Sequence, residues 1–151
     1  MSTEKNIHKA FAHYLKAKYP NVVFTSESSG VRVTMGQAIA LKEVRSAHTH
    51  PDVFISEPKG IYHGLYIELK KESPLKKDGT LKMQTEVKRR GPVFVKVNHL
   101  EEQFKTIELL RSKGYCAFFS SSLDNAMEIA DRYMALKCEE KLNGKYLLDI
   151  T

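Results

Sequence analysis

The chain lacks the long apolar segments that would place it in a membrane or mark it for export. No apolar run approaches the roughly 20 residues that a membrane-spanning helix needs. Residues 1–18 alternate charged and apolar groups, without the apolar core and small-residue cleavage site of a signal peptide. We therefore expect a soluble protein of the cytoplasm.

Paired cysteines and several familiar catalytic motifs are also missing. The two cysteines, Cys116 and Cys138, do not form a CxxC pair, which favours free thiols in a reducing compartment over a disulfide. There is no nucleophile elbow, P-loop or dinucleotide fingerprint. His48, His50 and His63 lack the four-ligand spacing of a zinc site, so packing or surface roles suit them better.

Basic charge is abundant and unevenly placed. The 151 residues carry a net charge of +6, and their 42% hydrophobic content is sufficient for the core of one domain. Between Lys70 and Lys96 there are nine basic and three acidic residues, so this segment contains the whole excess. Such local concentration indicates a nucleic-acid partner, although a flexible charged loop without a ligand would also show it.

Hydrophobic periodicity predicts an alternation of helices and strands. Turn signals and Gly114 divide the chain into these predicted elements: helix 4–19, strand 22–25, helix 35–46, two strands within 50–70, a basic arm or hairpin at 71–98, helix 98–113, strand 115–119 and helix 123–137, followed by a hairpin or interface strand at 142–147. We expect Asn98 and Glu101 to form a capping box at the start of the helix at 98–113. The order predicts one α/β domain with a central mixed sheet.

The strand at residues 65–70 carries the most informative polar groups. Because side chains alternate along a strand, Leu65, Ile67 and Leu69 share one face while Tyr66, Glu68 and Lys70 share the other. Asp52 begins the preceding strand. Two carboxylates can hold Mg²⁺, and a nearby ammonium can position a water or offset developing charge. These three groups predict a metal-dependent site for phosphodiester hydrolysis.

Two further polar residues fall on apolar helical stripes. Glu4 lies three residues before Ile7 and seven before Phe11, which places it on the stripe that faces the core, although a first-turn acid also suits the helix dipole. Gln103 lies between Leu100 and Ile107 on its stripe, where it either caps a buried backbone group or borders a polar pocket. Three cations, Arg32, Lys42 and Arg45, are more typical of a solvated face than of phosphate contacts.

The spacing Pro51-Asp52, fifteen residues, then Glu68-Leu69-Lys70 resembles the PD-(D/E)xK nuclease signature. With the flanking helices that carry Glu4 and Gln103, the chain is similar to the virus-type replication-repair nuclease family, VRR-NUC, and to its small stand-alone members from phages and bacteria. The resemblance runs from residue 4 to about 133 and is closest at 62–70 and 102–115. The chain departs from the family in a longer segment between Lys70 and Gln103, and in a histidine before Pro51.

The resemblance implies a restriction-endonuclease-like fold and Mg²⁺- or Mn²⁺-dependent cleavage of DNA, often at branched, flap or junction structures. It implies that Asp52, Glu68 and Glu4 hold the metal, that Lys70 assists the attacking water, and that Gln103 orients the site or contacts the substrate. It also suggests a bacterial or phage-infected cell as the setting.

The basic segment completes the expected nuclease. We expect its cations to contact the DNA backbone: Lys71, Lys76, Lys77, Lys82, Lys88, Arg89, Arg90 and Lys96. Residues 88–90 could equally form a solvated turn. Cuts in two strands from one site per subunit would favour a symmetric homodimer. The alternatives are a non-catalytic nucleic-acid-binding module that keeps the fold, and an RNA-directed nuclease.

Overall fold

A four-stranded mixed sheet forms the centre of the protein. The computed structural model describes residues 3–27 and 33–142, apart from the side chain of Glu86. Its elements are α1 (Glu4–Lys18), β1 (Phe24–Ser26), α2 (Met35–Glu43), β2 (Val53–Ile55), β3 (Leu65–Glu68), β4 (Thr85–Arg90), β5 (Val93–Asn98), α3 (His99–Ser112), β6 (Cys116–Phe119) and α4 (Leu123–Met134). No described helix is long and apolar enough to cross a membrane.

The sheet has the strand order β1-β2-β3-β6. The first three strands pair antiparallel, and β3 pairs parallel with β6. A parallel pair needs a long crossover, and here the crossover contains the β4–β5 hairpin and α3. The predicted α/β architecture with a mixed central sheet and flanking helices is confirmed.

The two faces of β3 bury different sets of side chains. Leu65, Ile67 and Leu69 belong to a core shared with α1 and α4, where Phe11 and Tyr133 are fully buried. The other face meets α3, and a second core there contains Leu100, Ile107, Ala117 and Phe119, with Tyr66 packed against it. The predicted alternation is therefore confirmed, and it places Glu68 on the side of α3.

The predicted arm is a hairpin whose two strands extend over six residues each. Strands β4 and β5 pair antiparallel from Thr85↔Asn98 to Arg90↔Val93, with Gly91 and Pro92 in the turn. Gly91 has φ +62°, a conformation that suits glycine at the first central position of a two-residue turn. Residues 88–90 lie in β4, so a solvated turn at this place is wrong.

Several local expectations need correction. Asn98 occupies the N-cap of α3, but its side chain makes no cap bond and instead accepts from the Gln84 amide at the base of the hairpin. The predicted capping box is therefore wrong. The first strand lies two residues later than expected, at 24–26, and the predicted helix at 123–137 ends at 134. The expected hairpin or interface strand at 142–147 lies outside the described residues, apart from Leu142.

Other expectations agree with the structure. The helix predicted over 35–46 is α2, although it ends at Glu43 and buries no residue. Gly114 follows α3 with φ +88°. Strand β6 is buried along its whole length, although it lies at the edge of the sheet and is not the internal strand that its continuous apolar run predicts. Cys116 is buried and Cys138 is exposed, and both are free thiols.

Replacing Phe11 with alanine should lower the free energy of unfolding by about 3–5 kcal/mol, because the ring is fully buried between α1 and the sheet. Urea denaturation measures the loss. Lys16→Ala, an exposed position on the same helix, should change stability by less than about 0.5 kcal/mol. Equal effects of the two substitutions would contradict this packing.

Candidate active site

The residues predicted to perform chemistry line one cavity. Glu4, Asp52, Glu68, Lys70 and Gln103 all border a cavity of about 890 Å³ on the α3 side of the sheet. They come from α1, the residue before β2, the end of β3 and the middle of α3. Residues far apart in the chain are therefore brought to one place, as the sequence pattern predicts.

Strand pairing sets the two central carboxylates side by side. Val53 pairs with Ile67, so Asp52 and Glu68 follow at the same end of the β2–β3 ladder. Asp52 is 8% exposed and Glu68 is 3% exposed. The Leu69 amide donates to Asp52 Oδ2 at 2.8 Å, which fixes the aspartate against the strand that carries Glu68.

The environment of this pair disfavours two negative charges. Burial, followed by the neighbouring Asp52 carboxylate, raises the pKa of Glu68 to about 8. Burial likewise raises the pKa of Asp52, against the opposing effects of His8, the Leu69 amide and Lys70. Without a bound cation, the protonated form of Glu68 is therefore favoured over two adjacent carboxylates.

Lys70 and Gln103 hold the same oxygen of Glu68. Lys70 Nζ donates to Glu68 Oε1 at 3.1 Å, and Gln103 Nε2 donates to that oxygen from α3. The Lys70 ammonium is largely buried, with 13% of its side chain exposed. The Glu68 carboxylate is therefore fixed in position from two directions.

The Oε1 atom of Gln103 is buried and has no hydrogen-bond partner among the described residues. Buried amide oxygens are nearly always satisfied, and an unsatisfied one at a cavity is typical of a place for water, a cation or substrate. Of the two roles open to Gln103, bordering a polar pocket is therefore correct, and capping a backbone group is wrong.

The donor set fits a hard divalent cation. Mg²⁺ takes oxygen ligands, retains several waters and often needs only one or two carboxylates. Asp52 and Glu68 provide two adjacent buried carboxyl groups, whose mutual repulsion such an ion would relieve. Glu4 lines the same cavity, but it is exposed, so the predicted inward orientation toward the core is wrong. No three described His, Cys, Asp or Glu side chains form a metal-ligating group, and the role of Glu4 as a third ligand stays a prediction.

Two positioning residues escaped the sequence analysis. His8 is buried, with Nε2 3.7 Å from Asp52 Oδ1. It lies four residues after Glu4, so helical spacing could have linked it to the site. Ser120 directly follows β6 and is fully buried; its hydroxyl accepts from the Lys70 amide at 3.3 Å and donates to the Glu68 carbonyl at 3.4 Å. Only the parallel pairing of β3 with β6 reveals that role.

The predicted DNA-contacting cations divide into two groups. Six are exposed: Lys71, Lys76, Lys77, Arg89, Arg90 and Lys96. Lys82 and Lys88 are half-buried. Lys88 and Arg90 contact Glu102 of α3, at 2.6 and 3.2 Å, and so attach the hairpin to the helix that carries Gln103.

Helix α2 and the segment after it also contribute to the cavity. Lys42, Arg45, His48 and His50 are among its lining residues. Arg45 pairs with Glu27 at 2.6 Å, in agreement with a surface role. Arg32 lies outside the described residues.

Comparison with solved structures identifies the fold. The chain is similar to a structure described as "VRR_NUC domain protein", with a TM-score of 0.57 and 21% sequence identity over 91% of this chain and 93% of that one. No protein-family model matches the sequence, and no curated protein matches it. The chain has a VRR-NUC fold, which confirms the fold that its motifs implied.

The stability of the metal-free protein should depend on Glu68 in a pH-dependent way. Its carboxyl pKa is near 4.5 in an unfolded chain and about 8 in the folded protein. Between these values the folded state binds more protons, so stability falls as the pH rises. Between pH 5 and pH 8, the free energy of unfolding of the wild type should fall by on the order of 2–4 kcal/mol more than that of Glu68→Gln, which has no carboxyl group to titrate at this position. Urea denaturation in EDTA at the two pH values measures this difference. A difference between the two proteins that is the same at both pH values would contradict a buried like-charge pair.

Proposed function

We propose that this chain, which has a VRR-NUC fold, is a metal-dependent DNA endonuclease that hydrolyses phosphodiester bonds in branched, flap or junction DNA. The observation that carries the proposal is the buried Asp52–Glu68 pair, held by Lys70 and Gln103 in one cavity. A buried pair of acidic groups is costly for stability alone, and perturbed titration in a cavity is typical of functional sites.

Asp52 and Glu68 would hold Mg²⁺ or Mn²⁺. When bound, the ion would polarise the scissile phosphate and lower the pKa of a coordinated water. The two carboxylates suit an ion because their burial keeps bulk water from competing with the ion for them. The Leu69 amide fixes the carboxylate of Asp52, and Gln103 fixes that of Glu68. Glu4 lines the same cavity and would contact the ion, directly or through its water, or the substrate.

Lys70 would act on the reacting phosphate. Its ammonium is held beside Glu68 with little solvent access, where a positive charge offsets negative charge far better than in water. The Ser120 hydroxyl accepts from the backbone amide of Lys70 and fixes the start of that side chain. Lys70 would thereby position the attacking water or stabilise the charge that develops on the phosphate oxygens.

The exposed cations of the basic segment would bind the DNA backbone. Phosphate contacts give affinity and orientation but carry little sequence information. The proposal therefore favours recognition of DNA shape over recognition of a defined sequence.

Cleavage should be lost in Glu68→Gln, because the substitution keeps the shape of the side chain and removes a negative charge from the ion site. Labelled duplex, flap, four-way-junction and single-stranded DNA, together with one RNA, would be incubated with Mg²⁺, Mn²⁺ or EDTA. Lys70→Ala should slow cleavage by about 10²–10³-fold, the usual cost of one charge-stabilising donor.

The matched control is Glu128→Gln, the same chemical change on the outer surface of α4, where Glu128 pairs with Arg132. It should cleave like the wild type. Metal-dependent cleavage that survives in Glu68→Gln would overturn the assignment. DNA binding without any metal-dependent product in the wild type would favour a non-catalytic binding module, and cleavage of RNA alone would favour an RNA-directed nuclease.

Removing an exposed cation from the hairpin should weaken DNA binding evenly across sequences. For Lys96→Ala, the slope of log affinity against log salt concentration should fall by about 1, because one phosphate contact is lost. Fluorescence anisotropy at several salt concentrations measures this slope. Lys16→Ala, on the last turn of α1, removes the same charge elsewhere and should leave the slope unchanged; identical behaviour of the two variants would argue against binding by the hairpin.

A further inference from the structure

Helix α3 supports one of the two faces of the β4–β5 hairpin. Residues paired across two antiparallel strands share a face. The pairs Lys88↔Val95 and Arg90↔Val93 therefore lie on the inner face, where the two cations contact Glu102 of α3. Val93 is nevertheless 57% exposed. Arg90 thus reaches Glu102 from the last pair of the hairpin, while the valine paired with it stays open to solvent.

The outer face of the hairpin combines apolar and cationic side chains. Its pairs are Val87↔Lys96 and Arg89↔Phe94. Val87 is 59% exposed and Phe94 is 70% exposed, and both cations are exposed. An aromatic ring that is 70% exposed gains little from burial within this chain. Its place beside Val87 and two cations on one open face favours a contact with another molecule.

The chemistry of this face selects one kind of partner. Lysine is depleted in the centres of protein interfaces, whereas aromatic rings set among cations are typical of surfaces that bind unpaired nucleic-acid bases. Apolar side chains can also enter between bases and separate them. The ring of Phe94 would meet a base, while the charges of Arg89 and Lys96 are complementary to the phosphates on either side.

The hairpin also leads directly from the candidate active site. Gln84 and His99, which flank its open end, line the same cavity as Glu68. The His99 amide donates to the Gln84 carbonyl at 2.9 Å and closes that end. A nucleic acid bound along the hairpin would therefore extend to the cavity.

We propose that Phe94 is a base-stacking residue, which binds an unpaired or unstacked base where a duplex is interrupted, while Arg89 and Lys96 contact the flanking phosphates. This inference rests on the proposed function and deepens it, because it names the feature of the substrate that is recognised: an exposed base face beside a branch, flap or gap. Continuous duplex, whose bases are stacked, offers no such face at its centre.

The chain contains no tryptophan, so Phe94→Trp places a single tryptophan near the turn of the hairpin, and it can be excited selectively over the tyrosines. Stacking on a base quenches tryptophan emission. Titration in EDTA with flap, junction or single-stranded DNA should therefore quench the emission of this variant. An uninterrupted duplex without a branch, flap or gap should quench it much less. The matched control is Ile61→Trp, also an exposed apolar position but in the β2–β3 connection, at the end of the sheet opposite to Asp52 and Glu68. Its emission should stay constant at saturating DNA.

Affinity gives a second readout. Phe94→Ala should bind flap and single-stranded DNA about tenfold more weakly, as expected for the loss of one base–aromatic stack. Phe94→Tyr, which keeps the ring, should bind like the wild type. Unquenched Phe94→Trp with DNA bound, unchanged affinity in Phe94→Ala, or absence of nucleic-acid binding would each overturn the inference.

Sedimentation with and without DNA tests whether the face around Phe94 instead binds a second copy of the chain. If Phe94→Ala converted a dimer to a monomer while affinity for DNA stayed unchanged, this face would be a self-association surface and the inference would be wrong. Because the fluorescence is measured in EDTA, its outcome is separate from that of cleavage. Quenching without any metal-dependent cleavage would support base stacking and overturn only the nuclease, whereas cleavage without quenching would overturn only the stacking role.

Discussion

The burial of Glu68 beside Asp52 is the interaction on which the rest of the site depends. Removing two carboxyl groups from water is costly, and repulsion between them adds to that cost. The fold meets this cost with groups from separate elements: the Leu69 amide for Asp52, and Lys70 with Gln103 for Glu68. The other face of β3 is filled by the core shared with α1 and α4, so these polar contacts all gather on the α3 side.

One turn of α3 joins the site to the hairpin. Gln103 donates to Glu68, and the preceding residue, Glu102, accepts from Lys88 and Arg90. The hydrogen bond from Lys88 lowers the pKa of Glu102 and so favours its charged form. Adjacent residues on a helix point in different directions. A single backbone segment can therefore hold the carboxylate of the site on one side and the inner face of the hairpin on another.

Local patterns predicted the parts of the site that depend on periodicity. Alternation along β3 placed Glu68 and Lys70 opposite Leu69, and the helical stripe of α3 turned Gln103 inward, because both follow from backbone geometry alone. The position of Asn98 could not be predicted in this way. Its side chain has a local option in the helix cap and a distant one at Gln84, and the hairpin decides between them. His8 and Ser120 were missed for the same reason, since their contacts join segments far apart in sequence.

The charge of the basic segment also shows why composition overstates a binding surface. Lys88 and Arg90 count fully toward the excess in the sequence, yet both are engaged by Glu102. A phosphate would have to compete with a carboxylate already in contact, so the net gain from these two cations is smaller than from Lys96, which is exposed on the opposite face. The hairpin thus separates its functions by face: the inner cations fix its orientation on α3, and the outer ones, set around Phe94, remain accessible to a ligand.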